Sequence, residues 1–240
     1  MLRFVARLGV VTLIAIAMSV ALTVGLATLF GFTPDHVTLI IAATCPLVIS
    51  LTLGGYLQRQ SDRLRLLNDD LREAHARLSY LARHDGLTGV LNHAGFYAAV
   101  DDVRRQGGAL LLADADHFKQ LNDHHGHAAG DRALQALARS MAAAAGPDAL
   151  LGRVGGEEFA IYLPANSAEE AAAIAERVRL AVAETAVALP AGAQTRLTVS
   201  VGGATDDPAL PFAETFRRAD ACLYEAKRAG RNRAILPVAA

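Results

Sequence analysis

Polarity along the chain divides it into three stretches. From Leu8 to Phe32 and again from Val37 to Leu57 the residues are mostly apolar, and Asp35 is the only formally charged side chain between Leu8 and Leu57. Each run meets the roughly 20 residues that a helix needs to cross a hydrocarbon core about 30 Å thick. Thr33, Pro34, Asp35 and His36 lie between them and suffice for a turn. The expectation for residues 1–57 is a helical hairpin through a membrane, with spans near 8–32 and 37–57. Arg3 and Arg7 precede the first span, and Arg59, Arg63 and Arg65 follow the second. That excess of positive charge places both ends in the cytoplasm. A cleaved signal peptide fits less well, because the first run exceeds the usual apolar stretch of such peptides and a second run follows at once.

From position 58 to 83 the pattern changes. Gly and Pro are absent, and Leu64, Leu67, Leu71, Ala74, Leu78 and Leu81 follow alternating steps of three and four, with Leu57 before them and Gln60 as a polar interruption. This heptad seam predicts a short signalling helix. Two readings remain open: a parallel coiled-coil dimer, or one amphipathic helix lying on the domain that follows. A membrane anchor raises effective concentration and favours the dimer.

Residues 84–240 alternate between helical and extended patterns. An apolar strand is expected at about 109–113, helices near 118–124 and 131–145, and a hairpin turning at Gly155-Gly156. A helix at about 168–188, a strand at 196–202, a helix at 212–228 and a last strand at 233–236 complete the order. Such an order predicts an α+β fold, a mainly antiparallel central sheet flanked by helices.

Composition narrows the function classes. With 23 Lys and Arg against 24 Asp and Glu, the formal net charge is −1, so no nucleic-acid partner is expected. Cys45 falls in the second apolar run and Cys222 in an expected helix; both read as small apolar residues rather than a disulfide pair.

Arg153-Val154-Gly155-Gly156-Glu157-Glu158-Phe159 carries the most chemistry. Two glycines accept positive φ and make a tight turn cheap, yet acidic residues are unusual at the mouth of a strand. A solvated turn is one explanation; a metal site carried on a hairpin is the other. Asp114 sits where an apolar strand meets a loop, and Asp116 shares its face of an extended chain. For Asp116 the simpler reading is capping of the helix that follows. A hard divalent cation such as Mg²⁺ takes oxygen ligands, and one or two carboxylates plus substrate phosphates suffice; Asp114 and Glu157 are such a pair. His117, His124, His125 and His127 lie close in sequence, but without an i, i+4 pair and third ligand they read as structural.

Five segments, in chain order, resemble the GGDEF family of diguanylate cyclases in its Gly-Gly-Glu-Glu-Phe form. They are Asp85-Gly86-Leu87-Thr88 through Asn92, Asp114 through Asp123, Gly126-His127-Ala128-Ala129-Gly130-Asp131, the hairpin segment itself, and Thr198 through Gly202 followed by Ala219-Asp220 to Asn232. The resemblance covers about residues 82–237. It implies a nucleotide-cyclase-like, palm-like domain over 84–240 that condenses two GTP into cyclic di-GMP and two pyrophosphates as a homodimer; with the two apolar spans, the expected location is the bacterial inner membrane, multi-pass and in contact with lipid.

By the same resemblance, the metal ligands are Asp114, Glu157 and the Ala115 carbonyl, for Mg²⁺ or alternatively Mn²⁺. Glu158 lies near the ribose 3′-hydroxyl, as general base or second-metal ligand. Asn122 and Asp131 read the guanine; a carboxylate suits the N–H donors that guanine offers on one edge, although Asp131 also fits as a helix N-cap. Lys119, Lys227 and Arg231 contact the triphosphate, and His117 and Phe118 are further substrate-binding residues. Lys119 and Lys227 are the only lysines in the chain, which fits a use for compact point charges. Where the family carries an Arg-x-x-Asp product-inhibition site, this chain has Gly146-Pro147-Asp148-Ala149, so that site is expected to be absent. His93 replaces a common arginine after Asn92. The alternative is a non-catalytic GTP or cyclic-dinucleotide receptor, or a membrane scaffold, on the same fold.

Overall fold

The computed structural model describes residues 2–188 and 194–237, with side chains of residues 2–7 and of Ala76 left out of the description. Two compact units divide the chain, Met1–His75 and Ala76–Ala240.

In the first unit, α1 (Leu2–Leu29) and the start of α2 (His36–Arg83) form a helix hairpin. Asp35 accepts a hydrogen bond from the Thr38 N–H at 3.0 Å, which satisfies one of the free donors at the start of α2. The Thr12 and Ser50 hydroxyls meet across the hairpin, and a Cβ at Gly54 would collide with Leu8. Small and hydroxylated residues at such a crossing let apolar helices approach closely. Leu13, Met18, Leu22, Ile40 and Ile49 face outward, and both helices are long and apolar enough to cross a membrane. Pro46 lies inside α2, where the i−4 carbonyl loses its usual donor.

The second unit is built on a six-stranded sheet in the order β1-β3-β4-β2-β7-β8. Its strands are β1 (Leu91–Asn92), β2 (Gly108–Ala115), β3 (Leu150–Arg153), β4 (Glu158–Pro164), β7 (Val199–Asp206) and β8 (Ala234–Ile235). The interior pairs β3–β4, β4–β2 and β2–β7 are antiparallel, while β1 and β8 join the edges in parallel. Strand β2 is buried at nearly every position, because helices cover both faces. On one face α5 (His127–Ala145) and α6 (Ala168–Glu184) pack Leu137, Met141, Val178 and Val182 against Leu111, Phe159 and Ile161. On the other, α3 (His93–Val103) and α7 (Phe212–Arg228) pack Phe96, Val100, Phe212 and Leu223 against Leu110, Leu112 and Tyr162. Helix α7 lies so close to β7 that a Cβ at Gly202 would strike the backbone of Ala219 and Leu223.

The expected α+β class holds, and several local expectations need correction. Helix α3 and strand β1 were not anticipated, although Asn92 accepts the Gly95 N–H at 2.8 Å as an N-cap. The helix expected to reach 188 stops at Glu184, and Ala186–Ala188 (β5) pairs instead with Gln194–Arg196 (β6) in a separate two-stranded sheet. The strand expected at 196–202 runs as Val199–Asp206, in register along the whole of β2. The helix expected from Asp131 begins at His127.

Candidate active site

Three elements meet at the C-terminal end of β2. Asp114 stands opposite Glu158 of β4 and Ser200 of β7, and its neighbour Ala115 donates its N–H to the Glu157 carbonyl at 3.2 Å. The β3–β4 turn is therefore pinned to the strand end that carries Asp114. His117 then takes a left-handed conformation with φ of 57°, which turns the chain from β2 into α4 (Phe118–His125).

Residues from these elements surround one open cleft of about 330 Å³. Of the residues singled out in the sequence, Asp114, Ala115, His117, Phe118, Lys119, Glu157, Lys227 and Arg231 line it. Gln120 and Asp123 line it too; both lie within the Asp114–Asp123 motif, but nothing in their spacing marked them.

Charge in the cleft is organised around two carboxylates. Lys227 Nζ lies 2.8 Å from Asp114 Oδ2, and the Asp114 side chain is almost wholly buried. Burial pushes the Glu157 carboxyl above its ordinary value, the Asp114 charge pushes it further, Lys227 pulls it back, and Glu158 adds a smaller upward push. A cation bound beside Glu157 would relieve this repulsion. Among the described residues, no group of three or more His, Cys, Asp or Glu side chains is placed to hold a metal ion. The donors on hand are thus two hard carboxylates and a backbone carbonyl, a set that fits Mg²⁺ or Mn²⁺ only when substrate oxygens complete the shell.

The hairpin backbone differs from the positive-φ turn that its two glycines suggest. Neither Gly155 nor Gly156 has positive φ. Gly155 matters through space instead: a Cβ there would collide with the carboxylate of Glu158. The turn is held by Arg153, which donates from Nε and Nη2 to the Gly156 carbonyl at 3.1 and 2.6 Å. Its Nη1 reaches both Asp85 oxygens at 3.2 Å. Asp85 in turn accepts from the Thr88 N–H and hydroxyl at 2.9 and 2.6 Å. An Asp three residues before a Thr is a turn signature, so this anchor has a signal readable in the sequence.

Glu158 is exposed and does not line the main cleft; it borders a smaller cavity of about 40 Å³ with Phe216 and Asp220. Asn122 and Asp131 do not line the main cleft either. Asn122 sits on α4 against Gly130, the residue before Asp131, and its Oδ1 is buried with no hydrogen-bond partner. Asp131 is exposed within α5 and is not the N-cap, which is Gly126. Asp116 is no cap either: His117 holds that position without a side-chain bond, while Asp116 is spent on Thr198, Ser200 and Asn232.

The sequence profile of the diguanylate cyclase GGDEF domain matches residues 82–233. Diguanylate cyclase DgcM of Escherichia coli K12 is 37% identical over 195 residues, covering 77% of this chain and 46% of that protein; the chain spans about half the length of this relative. The crystal structure of the coiled coil and GGDEF domain of DgcB from Caulobacter crescentus, in complex with c-di-GMP, superposes with a TM-score of 0.71 at 30% identity, covering 75% of this chain and 99% of that one. Diguanylate cyclase SiaD from Pseudomonas aeruginosa, solved with its activator SiaC, gives a TM-score of 0.64 at 27% identity over 97% of this chain and 88% of that one. This chain belongs to the GGDEF family.

Proposed function

We propose that the protein is a membrane-anchored diguanylate cyclase that joins two GTP into cyclic di-GMP and releases two pyrophosphates. One observation carries this reading: Asp114 at a strand end and Glu157 in the β3–β4 turn line one cleft together with Lys119, Lys227 and Arg231, Lys227 being paired with Asp114. Carboxylates and cations gathered in one cleft suit a metal-bound polyphosphate. Relatives and solved neighbours named for cyclase activity or c-di-GMP support the same reading.

In this reading the chain's residues divide the work. Lys119, Lys227 and Arg231 bind phosphate oxygens, helped by the first N–H groups of α4, which lack intrahelical acceptors. Asn122, whose buried Oδ1 awaits a donor, and Asp131 hold the guanine edge. A divalent ion, Mg²⁺ or Mn²⁺, held by Asp114, Glu157 and the Ala115 carbonyl, supplies charge neutralisation at the phosphoryl oxygens. Glu158 takes the proton of the ribose 3′-hydroxyl as that oxygen forms its bond to the α-phosphorus of the partner's GTP. The bond from that phosphorus to the bridging oxygen breaks, and pyrophosphate leaves. The same step in the opposite sense closes the ring.

One domain positions only half of the reacting pair, so dimer geometry sets the rate. Leu64, Leu67, Leu71, Leu78 and Leu81 of α2 are all exposed in the single chain, as a coiled-coil seam awaiting a second copy would be. The membrane hairpin raises the encounter rate of two such helices. Incubating the detergent-purified full chain with GTP and Mg²⁺ and detecting cyclic di-GMP by mass spectrometry tests the proposal. Unchanged GTP under these conditions contradicts it.

A further inference from the structure

Asp116 is buried beside the cleft, with 3% of its surface exposed, and lies outside the cleft lining. Three donors converge on its two oxygens. The Ser200 hydroxyl donates to Oδ1 at 2.7 Å, and the Thr198 hydroxyl and the Asn232 backbone N–H donate to Oδ2 at 2.6 and 3.0 Å. The first ties Asp116 to β7 and the second to Thr198, the residue just before that strand. The third reaches the connection between α7 and β8, more than a hundred residues on.

That connection is strained. Arg231 and Asn232 both have positive φ, at 63° and 46°, a region that costs non-glycine residues free energy unless the surroundings enforce it. Asp116 grips the turn from beneath. From the side, Arg179 of α6 donates from Nη1 to Asn232 Oδ1 at 2.7 Å. The outcome of this left-handed pair is that Arg231 lines the same cleft as Lys227.

We propose that Asp116 is a positioning residue: its carboxylate holds the Arg231–Asn232 turn in its left-handed form and so aims Arg231 at the phosphates of the bound nucleotide. This rests on the reading of the cleft as a GTP site. Losing the carboxylate leaves the Asn232 N–H without its buried acceptor and lets the turn relax toward negative φ, moving Arg231 out of the cleft. An amide at 116 can still accept at the Oδ2 position while its NH₂ donates to the Ser200 hydroxyl, which rotates to accept. Geometry therefore predicts that Asn rescues what Ala destroys.

The test is nucleotide affinity of the detergent-purified full chain, measured by displacement of a fluorescent GTP analogue, with GTP and GMP compared. Asp116→Ala is expected to weaken GTP by about tenfold, the worth of one charge-assisted contact, and to leave GMP unchanged, since GMP lacks the outer phosphates. Asp116→Asn is expected within about threefold of the parent. The double variant with Arg231→Ala is expected to be no weaker than Arg231→Ala alone, because one effect passes through the other. Equal losses for GTP and GMP, multiplicative losses in the double variant, or parental GTP affinity in Asp116→Ala overturn the inference. If Asp116→Ala shows no melting transition, Arg179→Ala decides: a GTP-selective loss of about threefold supports the inference, and no change overturns it. A parent chain that fails to bind GTP overturns both this inference and the proposed function, whereas failure of the variants alone leaves the proposed function standing.

Discussion

Arg153 and Asp85 form an ion pair at 3.2 Å that joins the loop after α2 to the β3–β4 turn, because the same guanidinium also holds the Gly156 carbonyl. Both side chains are largely shielded from solvent, so the pair is screened less than a surface one. The residue after Gly156 is Glu157, so the turn that presents a carboxylate to the cleft is braced from outside the cleft.

This pair gives stability a dependence on pH. Burial works against ionisation of Asp85, but the Thr88 hydroxyl and N–H and the Arg153 guanidinium outweigh it and hold the carboxyl below its usual value of 3.8. A carboxyl with a depressed folded pKa contributes stability above the unfolded value and loses it as pH falls through the folded one. Asp85→Asn is therefore expected to cost about 1–2 kcal/mol at neutral pH. Urea melts across pH should show that difference closing in acid; a constant difference would count against the assignment.

Glu157 should show the opposite balance between stability and activity. It is partly desolvated and faces like charges from Asp114 and Glu158. In a chelator, Glu157→Gln is expected to raise Tm by about 2 °C while removing cyclase activity. Millimolar Mg²⁺ with GTP should stabilise the parent and not the variant in the same thermal melt.

Asn122 offers a second such trade. Its Oδ1 is buried without a partner, which costs about 1–3 kcal/mol. Asn122→Ala is expected to leave Tm unchanged or higher and to raise KM for GTP by about tenfold. A large fall in Tm with unchanged KM would make Asn122 a packing residue.

Product feedback should be weak. Gly146-Pro147-Asp148-Ala149 provides neither the arginine nor the spaced aspartate that the family's inhibitory site uses. Initial rates with added cyclic di-GMP are expected to match those without it; strong inhibition would reveal another product site.

Much of this was legible because short-range rules act strongly in some segments. The apolar runs, the step pattern on α2, the continuous apolar strand β2 and the acidic hairpin each follow from local chemistry. What escaped reading depends on contacts far apart in sequence. Asp116 looked like a helix cap, since nothing local shows that Asn232 returns to it. The hairpin glycines were credited with positive φ, whereas the left-handed residues near the cleft are His117, Arg231 and Asn232. The end of α6 was overrun because an alanine-rich stretch favours helix until β6 competes for its backbone.

Electron paramagnetic resonance of Mn²⁺ titrated into the purified full chain, with a non-hydrolysable GTP analogue, addresses the metal site itself. The parent is expected to take up Mn²⁺ in a nucleotide-dependent manner. Asp114→Asn and Glu157→Gln should each weaken that uptake by about tenfold or more. Parental Mn²⁺ binding in both variants would show that the two carboxylates do not share an ion, and would contradict the account.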